Sequence, residues 1–147
     1  MHAFFRDDQQ SIDQGLLEAN GVIYRDLPMD KAGYQPHLDE LTRRRGYVTQ
    51  DEVKLAPDTP NLEAILARFD PEHHHEDDEV RFVLDGAGVF DVRADDGRWM
   101  RIVVEPGDLI VVPKGKRHRF ELTDLRRIHC VRLFKDPAGW AAIYEAP

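Results

Sequence analysis

Residues 73–86 read His-His-His-Glu-Asp-Asp-Glu-Val-Arg-Phe-Val-Leu-Asp-Gly, and this stretch predicts both a strand of a closed sheet and a metal site. Successive side chains of an extended strand alternate between its two faces, so His73 and His75 project to the same side. Glu79 follows four residues after His75, beyond an acidic segment at 76–78 that we expect to form a solvated turn. Two imidazoles and one carboxylate can therefore converge on a single point, as metal ligands do.

The alternation continues beyond this point and predicts a strand that is buried on both sides. Its two faces carry Glu79, Arg81 and Val83, and Val80, Phe82 and Leu84, respectively. Because both faces hold apolar residues, the strand fits the wall of a small closed barrel or sandwich. An unpaired guanidinium is costly inside such a barrel, so Arg81 should meet either a carboxylate or an anionic substrate.

A further ligand candidate lies in the segment Gly107-Asp-Leu-Ile-Val-Val-Pro-Lys-Gly-Lys-Arg-His118-Arg-Phe. Pro113 and Gly115 predict a turn, and His118 begins the strand after it. Two histidines and a carboxylate with vacant positions are typical of non-haem iron(II) and oxygen chemistry, whereas a third imidazole would suit Fe, Ni or Zn almost equally. Any one of these histidines alone fits a solvated loop, but four ligand-type residues at these spacings favour a metal site.

Both motifs resemble those of a known superfamily. His73-x-His75-x-x-x-Glu79 followed by Gly86, and Gly107-x5-Pro113-x-Gly115-x-x-His118, are similar to the two metal-binding motifs of the cupins. The segments Glu79-Val-Arg-Phe, Gly107-Asp-Leu-Ile-Val-Val-Pro and Arg132-Leu-Phe-Lys-Asp-Pro-Ala-Gly-Trp140 resemble, more narrowly, the acireductone dioxygenases of methionine salvage. The resemblance covers residues 69–140 closely, and it departs from the general cupin pattern at Leu122, where many cupins have Asn.

The resemblance implies a mainly β fold, a cupin-type double-stranded β-helix or jelly-roll barrel with the N-terminal helices packed outside. It implies one Fe(II) per chain, or Ni(II) as the alternative, held by four ligands; these are His73, His75, Glu79 and His118. The substrates would be acireductone and O2. The iron form would give 4-methylthio-2-oxobutanoate and formate, and the nickel form 3-methylthiopropanoate, formate and carbon monoxide.

The resemblance also assigns a catalytic role to Arg81, which in this family holds the enediolate substrate. Phe69, Phe120 and Trp140 would wall the substrate pocket, although each is equally well explained as an ordinary core aromatic residue. Arg132 alternates with Cys130 and Phe134 and, like Arg81, would bind either a carboxylate or the substrate. The other histidines are expected to be ordinary surface or core residues; they are His2, His37, His74 and His129.

Two other functions remain open from the sequence. The chain could be a cupin dioxygenase that acts on a different enediol, a catechol or a thiol, which would keep the four ligands without needing Arg81 and Trp140. It could also be a non-catalytic cupin that senses or stores a small ligand, with the metal as structural support. An oxygen-uptake assay with acireductone separates the first function from the other two, since only an acireductone dioxygenase consumes oxygen with that substrate.

The composition restricts the compartment and the partners. The chain has 147 residues, which predicts one domain, with a helical part at 1–70, a barrel core at 71–135 and a C-terminal segment at 136–147. Its single cysteine, Cys130, lies in an apolar run and predicts a buried thiol in a reducing compartment. No apolar run is long enough to span a membrane and the start is polar, so we expect a cytoplasmic protein. A net charge of -8 disfavours nucleic acid and anionic membranes as partners. We also expect the protein to be a monomer.

Three helices are predicted before the strands. A capping box at Ser11–Gln14 opens the first, which Gly21 ends. A polar linker is expected over Pro28–Pro36, followed by a helix from about His37 to Arg45, whose basic end is either an anion site or a solvated terminus. Proline at the first turn opens a third helix over Pro60–Phe69. Phe4 and Phe5 could begin an edge strand, and Val22–Leu27 and Tyr47–Leu55 are expected to be extended. The later part of the chain predicts five strands, the first of them broken at Gly86 and Gly88. They are Glu79–Val92, Trp99–Val104, Asp108–Val112, His118–Leu122 and Arg127–Phe134.

Overall fold

The computed structural model describes residues 1–135 and 142–144, which form two antiparallel sheets and three helices. The strands are β1 His2–Phe5, β2 Ile23–Asp26, β3 Thr49–Leu55, β4 His73–His74, β5 Glu79–Gly86, β6 Gly88–Arg93, β7 Trp99–Val104, β8 Asp108–Val112, β9 His118–Leu122, β10 Ile128–Phe134 and β11 Ile143–Tyr144. The helices are α1 Gln14–Ala19, α2 Lys31–Arg45 and α3 Leu62–Ala67. One sheet has the order β1-β7-β6-β9-β4-β11 and the other β2-β8-β5-β10-β3. The predicted mainly β, two-sheet architecture is confirmed.

The two sheets enclose a buried apolar core. Phe90, Met100 and Ile102 come from the six-stranded sheet, and Val83 and Ile110 come from the five-stranded sheet. Alternate residues of each strand point into this core, which is the period-two pattern that a half-buried strand requires. The interior of the barrel is therefore defined by side chains from both sheets.

A second apolar cluster lies on the outer face of the five-stranded sheet. Tyr34 and Leu38 of α2 pack there with Val80 and Phe82 of β5. Strand β5 is consequently buried on both faces, as its sequence predicted, and α2 packs outside the barrel. This packing places the C-terminal end of α2 close to the strand that carries Glu79.

Helix α2 begins earlier than predicted. The sequence indicated a linker over Pro28–Pro36, but the helix already starts at Lys31. Asp30 caps it, because its carboxylate accepts a hydrogen bond from the backbone N–H of Gly33 at 3.0 Å. Pro36 lies inside the helix, where its missing N–H removes one intrahelical hydrogen bond. Burial of a tyrosine and a leucine on either side of this proline outweighs that loss.

The start of α1 was predicted wrongly, whereas the end of α2 was predicted correctly. Asp13 caps α1 instead of Ser11, since its carboxylate accepts from the N–H of Leu16 at 2.8 Å. Ser11 instead forms an isolated bridge with Phe4. Helix α2 ends at Gly46 as predicted, with a left-handed φ of 76° that glycine adopts without strain. No helix in the described part of the chain is long and apolar enough to cross a membrane.

The corner between β5 and β6 requires glycine. Gly86 has a φ of 78°, and a Cβ at this position would collide with the carbonyl of Arg127. The predicted break in the strand at Gly86 and Gly88 is confirmed, because β5 ends at the first and β6 begins at the second. At the same corner, Ile128 at the start of β10 lies opposite Gly86, so the two backbones approach closely there.

Candidate metal centre and pocket

Three histidines meet inside the barrel because short strand β4 pairs with β9. The register of this pair sets His73 opposite His118, and their ring centroids are 4.5 Å apart. The ring of His75 lies 5.0 Å from that of His73 and 5.3 Å from that of His118. One ring nitrogen from each of the three lies within 4.8 Å of the others, and all three side chains are buried.

Backbone carbonyls orient two of these rings. The Nδ1 atom of His73 lies 2.8 Å from the carbonyl oxygen of Pro71, and Nδ1 of His118 lies 2.8 Å from that of Lys116. A carbonyl oxygen can only accept, so each Nδ1 carries a proton and donates it, and the other ring nitrogen, Nε2, is turned toward the cluster. Neither Nε2 has a hydrogen-bond partner among the described residues. This arrangement is typical of metal-binding histidines.

The Glu79 carboxylate completes the cluster. Its Oε2 atom lies 2.8 Å from Nε2 of His118, without the alignment of a hydrogen bond, and Oε1 lies 3.8 Å from Nε2 of His75. Burial alone would raise the pKa of Glu79, but the Arg81 guanidinium and the His118 ring hold it well below its ordinary value. The side chain is therefore ionised and acts as a buried negative charge.

The electrostatics of the cluster favour a cation. Burial alone would lower the pKa of His118, but the adjacent Glu79 carboxylate raises it. Burial lowers the pKa of His73, so this ring stays neutral and keeps its lone pair. A divalent ion supplies the positive charge that Glu79 attracts, and it would also give the buried Nε2 atoms a partner. The donor set of three imidazoles and one carboxylate therefore fits a transition metal.

The four predicted ligands are thus brought together, and the remaining histidines are not. His74 projects away from the cluster on the two-residue strand β4. His129 contacts Glu52 through Nε2 at 2.8 Å, on an exposed part of the surface. His2 and His37 lie on β1 and α2, so neither belongs to β4 and the residue after it, β5 or β9, which carry the cluster.

A cavity of about 110 Å³ opens beside the Glu79 carboxylate. Its walls are mostly apolar, with two guanidinium groups among them; the lining residues are Val53, Leu55, Phe69, Glu79, Arg81, Phe90, Phe120, Ile128, Cys130 and Arg132. A second cavity of about 50 Å³ shares Phe69, Glu79, Arg81 and Arg132 with the first. Of the predicted pocket residues, Trp140 lies outside the described residues.

Arg81 meets a carboxylate, one of the two partners that its position required. Its Nη2 donates to Oε1 of Glu79 at 3.0 Å, and Nη1 donates to the carbonyl of Val80 at 2.9 Å. The guanidinium also lines both cavities. Arg81 can therefore orient the carboxylate of the cluster and face a ligand in the pocket at the same time.

The acidic turn is not solvated as predicted. Glu76 is exposed, but Asp77 is buried and accepts from the backbone N–H of Lys135 at 2.7 Å. Asp78 is half-buried and accepts from three donors; they are Nη1 of Arg45 at 2.9 Å, the hydroxyl of Tyr47 at 2.7 Å and the backbone N–H of Lys114 at 3.0 Å. Nothing local in the sequence distinguishes these carboxylates, because their donors come from distant segments.

The contact of Arg45 with Asp78 gives the basic end of α2 a structural partner. Asp78 precedes Glu79, and Lys114 belongs to the turn that leads to His118, so this carboxylate connects the helix to both segments that carry ligands. Arg44 lies exposed, 4.0 Å from Glu40 one helical turn away. Contacts with carboxylates of the chain therefore account for Arg44 and Arg45.

A model of the ARD/ARD' family matches residues 2–142. The chain belongs to this family. An acireductone dioxygenase of Heterostelium pallidum is 43% identical over 143 residues, which cover 97% of each chain. One from a Sulfurihydrogenibium strain is 55% identical over 112 residues, which cover 76% of this chain but only 62% of that relative. The solved acireductone dioxygenase from Bacillus anthracis, with a cadmium ion in its active centre, has a TM-score of 0.91 and 32% identity, and the match covers 97% of both chains.

Proposed function

We propose that this chain is an acireductone dioxygenase, which cleaves 1,2-dihydroxy-5-(methylthio)pent-1-en-3-one with O2 in methionine salvage. The observation that carries the proposal is the convergence of three buried imidazoles and the Glu79 carboxylate at a pocket lined by Arg81 and Arg132. Membership of the ARD/ARD' family supports the same activity. An anionic enediolate needs positive charge and a dry pocket, and the chain provides residues of both kinds.

We propose Fe(II) as the cofactor, held by His73, His75, Glu79 and His118, with Ni(II) as the alternative. Imidazole and carboxylate donors suit both ions, and nickel generally binds such a site the more tightly of the two. The bound ion would supply Lewis acidity toward the enediolate and redox chemistry toward O2. The iron form is expected to give formate and 4-methylthio-2-oxobutanoate, and the nickel form formate, carbon monoxide and 3-methylthiopropanoate.

The side chains of the pocket have separate tasks in this proposal. Arg81 and Arg132 balance the negative charge of the enediolate, and Phe69 and Phe120 exclude water from it. Trp140 is proposed to belong to the same wall. Glu79 stays ionised beside Arg81, so the guanidinium holds this ligand in one orientation while it faces the substrate.

The test is reconstitution with each metal. The protein is stripped of metal, loaded separately with Fe(II) and Ni(II), and given acireductone under oxygen, while oxygen uptake, carbon monoxide and the two acids are quantified. We expect oxygen uptake in both forms and carbon monoxide with nickel only. Identical products from both forms would contradict the metal dependence alone, whereas the absence of oxygen uptake in both would contradict the activity and leave a dioxygenase for another substrate or a non-catalytic cupin.

A further inference from the structure

Three charged side chains form a row across the five-stranded sheet. The register sets Asp51 of β3 opposite Arg132 of β10, and Arg132 opposite Arg81 of β5. Both arginines line the pocket beside the metal cluster. The neighbouring inner residues of β3, Val53 and Leu55, line the same cavity, so Asp51 shares the inner face of its strand with them.

This register creates an electrostatic conflict that two carboxylates resolve. Like charges directly opposite each other on paired strands destabilise a sheet. Arg81 is balanced by Glu79 at 3.0 Å, and Arg132 is balanced by Asp51, which accepts from Nε at 2.8 Å and from Nη2 at 2.7 Å. Each guanidinium therefore has its own carboxylate. Only the carboxylate that pairs with Arg132, that of Asp51, lies outside the metal cluster.

The contact between Asp51 and Arg132 has the geometry that fixes a guanidinium plane. Two parallel N–H donors on the two oxygens of one carboxylate restrain both the position and the rotation of the group. The Arg132 side chain is 18% exposed and that of Asp51 is 39% exposed, so the pair lies where the pocket approaches solvent. A single hydrogen bond would leave the plane of Arg132 free to rotate, but this paired contact does not.

We propose that Asp51 is a positioning residue that holds Arg132 beside Arg81, so that the pocket presents two guanidinium groups to an anionic substrate. The inference rests on the proposed function, because the enediolate is that anion. Asp51 acts through Arg132 and does not touch the substrate or the metal. Its loss should weaken substrate binding more than it slows the chemical step, since the ligands are unchanged.

The same two strands offer a matched control. Glu52 follows Asp51 on β3, points to the opposite face and contacts His129 of β10 through Oε1 at 2.8 Å. Both carboxylates therefore connect β3 to β10, but only Asp51 does so at the pocket. Glu52→Gln therefore measures how KM responds when a carboxylate is removed from this edge strand at a position away from the pocket.

The experiment compares Asp51→Asn, Asp51→Glu and Glu52→Gln as metal-loaded proteins. We expect Asp51→Asn to keep its metal and to raise KM for acireductone about tenfold, with kcat changed by about twofold or less. Asp51→Glu should recover part of the loss, and Glu52→Gln should match the parent protein. Arg132→Gln combined with Asp51→Asn should be no worse than Arg132→Gln alone, because both act through one contact.

The outcomes of these measurements keep this inference separate from the proposed activity. An unchanged KM in Asp51→Asn, metal loss in that variant, or an equal effect of Glu52→Gln would overturn the positioning role even if the parent protein turns over acireductone. If the parent protein shows no turnover, the positioning role is tested instead by calorimetric titration of each variant with the anionic keto acid 4-methylthio-2-oxobutanoate. Weaker binding in Asp51→Asn alone supports the role, and equal or absent binding in all variants overturns it.

Discussion

At the scale of single residues, the two oriented imidazoles are the most constrained groups of the site. His73 and His118 each donate through Nδ1 to a backbone carbonyl, which leaves Nε2 as the only ring atom available to a metal. The position of each Nε2 is therefore set by a contact between Nδ1 and the backbone. This arrangement predicts a strong effect when either ring is removed.

We expect His73→Ala and His118→Ala each to lose the metal that copurifies with the parent protein, because a site with two imidazoles and a carboxylate binds more weakly. His74→Ala is the matched control, since His74 lies between two of the ligands but projects away from the cluster. Elemental analysis of the purified variants measures the outcome. Full occupancy in both ligand variants, with native circular dichroism, would show that the assignment is wrong.

Arg81 is expected to affect both the metal and the substrate. Its contact with Oε1 of Glu79 orients a ligand, so Arg81→Ala should weaken metal binding about 10- to 100-fold, the range seen for such supporting residues. Turnover should fall further, even at saturating metal, because the pocket loses a positive charge. Arg81→Lys should recover only part of it, as an ammonium lacks the planar fork. Chelator competition and kcat/KM at saturating metal measure the two effects; unchanged values for both would mean that Arg81 is only structural.

At the scale of secondary-structure elements, Asp78 connects the end of helix α2, the segment just before strand β3 and the turn before β9. We expect Tyr47→Phe to lower the free energy of unfolding by about 1 kcal/mol, since it removes one hydrogen bond to this carboxylate. It should also speed metal release, because Asp78 precedes Glu79 and holds the N–H of Lys114. Urea unfolding and release into a chelator measure the two effects.

Tyr24→Phe is the control for that prediction. Tyr24 donates to Asp108 at 2.7 Å, a similar hydroxyl–carboxylate bond on strands that carry no ligand. This variant should lose a similar amount of stability and release metal at the parent rate. Equal release rates in all three proteins would show that the Asp78 contacts stabilise the fold without supporting the metal site.

The corner at Gly86 gives a test of the turn between β5 and β6. Gly86→Ala should cost more than about 2 kcal/mol, because a Cβ there meets the Arg127 carbonyl and the φ of 78° is unfavourable for alanine. Gly97→Ala shares the positive φ, at 90°, but its Cβ meets nothing, so it should cost about 1 kcal/mol. Denaturant unfolding of the two variants measures the difference, and equal values would mean that the close approach at Gly86 is relieved elsewhere.

At the scale of the whole molecule, the metal should stabilise the fold. A ligand that binds only the native state adds about 4 kcal/mol when present at 1,000 times its Kd. For a chain of this size that corresponds to a rise in Tm of about 10 °C. Scanning calorimetry with and without metal measures it, and an unchanged Tm on reloading would contradict a site built only in the folded state. The monomeric state and the cytoplasmic location remain predictions.

The sequence by itself determined the strands and turns of the barrel and the identity of the candidate ligands. The alternation in β5, the glycines at its corner and the His-x-His spacing are local features, and local geometry dictates their consequences. The same local rules misplaced the start of α2, because the proline at position 36 argues against a helix that distant packing stabilises. They also treated Asp77 and Asp78 as solvated, because the donors that these carboxylates meet in the structure come mainly from segments far away in the sequence.

Only the tertiary structure decided which charged groups meet. Arg132 and Asp51 are 81 residues apart, and their contact exists because β10 pairs with β3 in one particular register. Asp78 likewise finds its donors on α2, before β3 and in the turn after β8. A strand pattern specifies which face a side chain occupies but not which residue of another strand lies opposite. That choice is made by burial of the apolar core on both sides of the sheet, which sets the register for the whole chain at once.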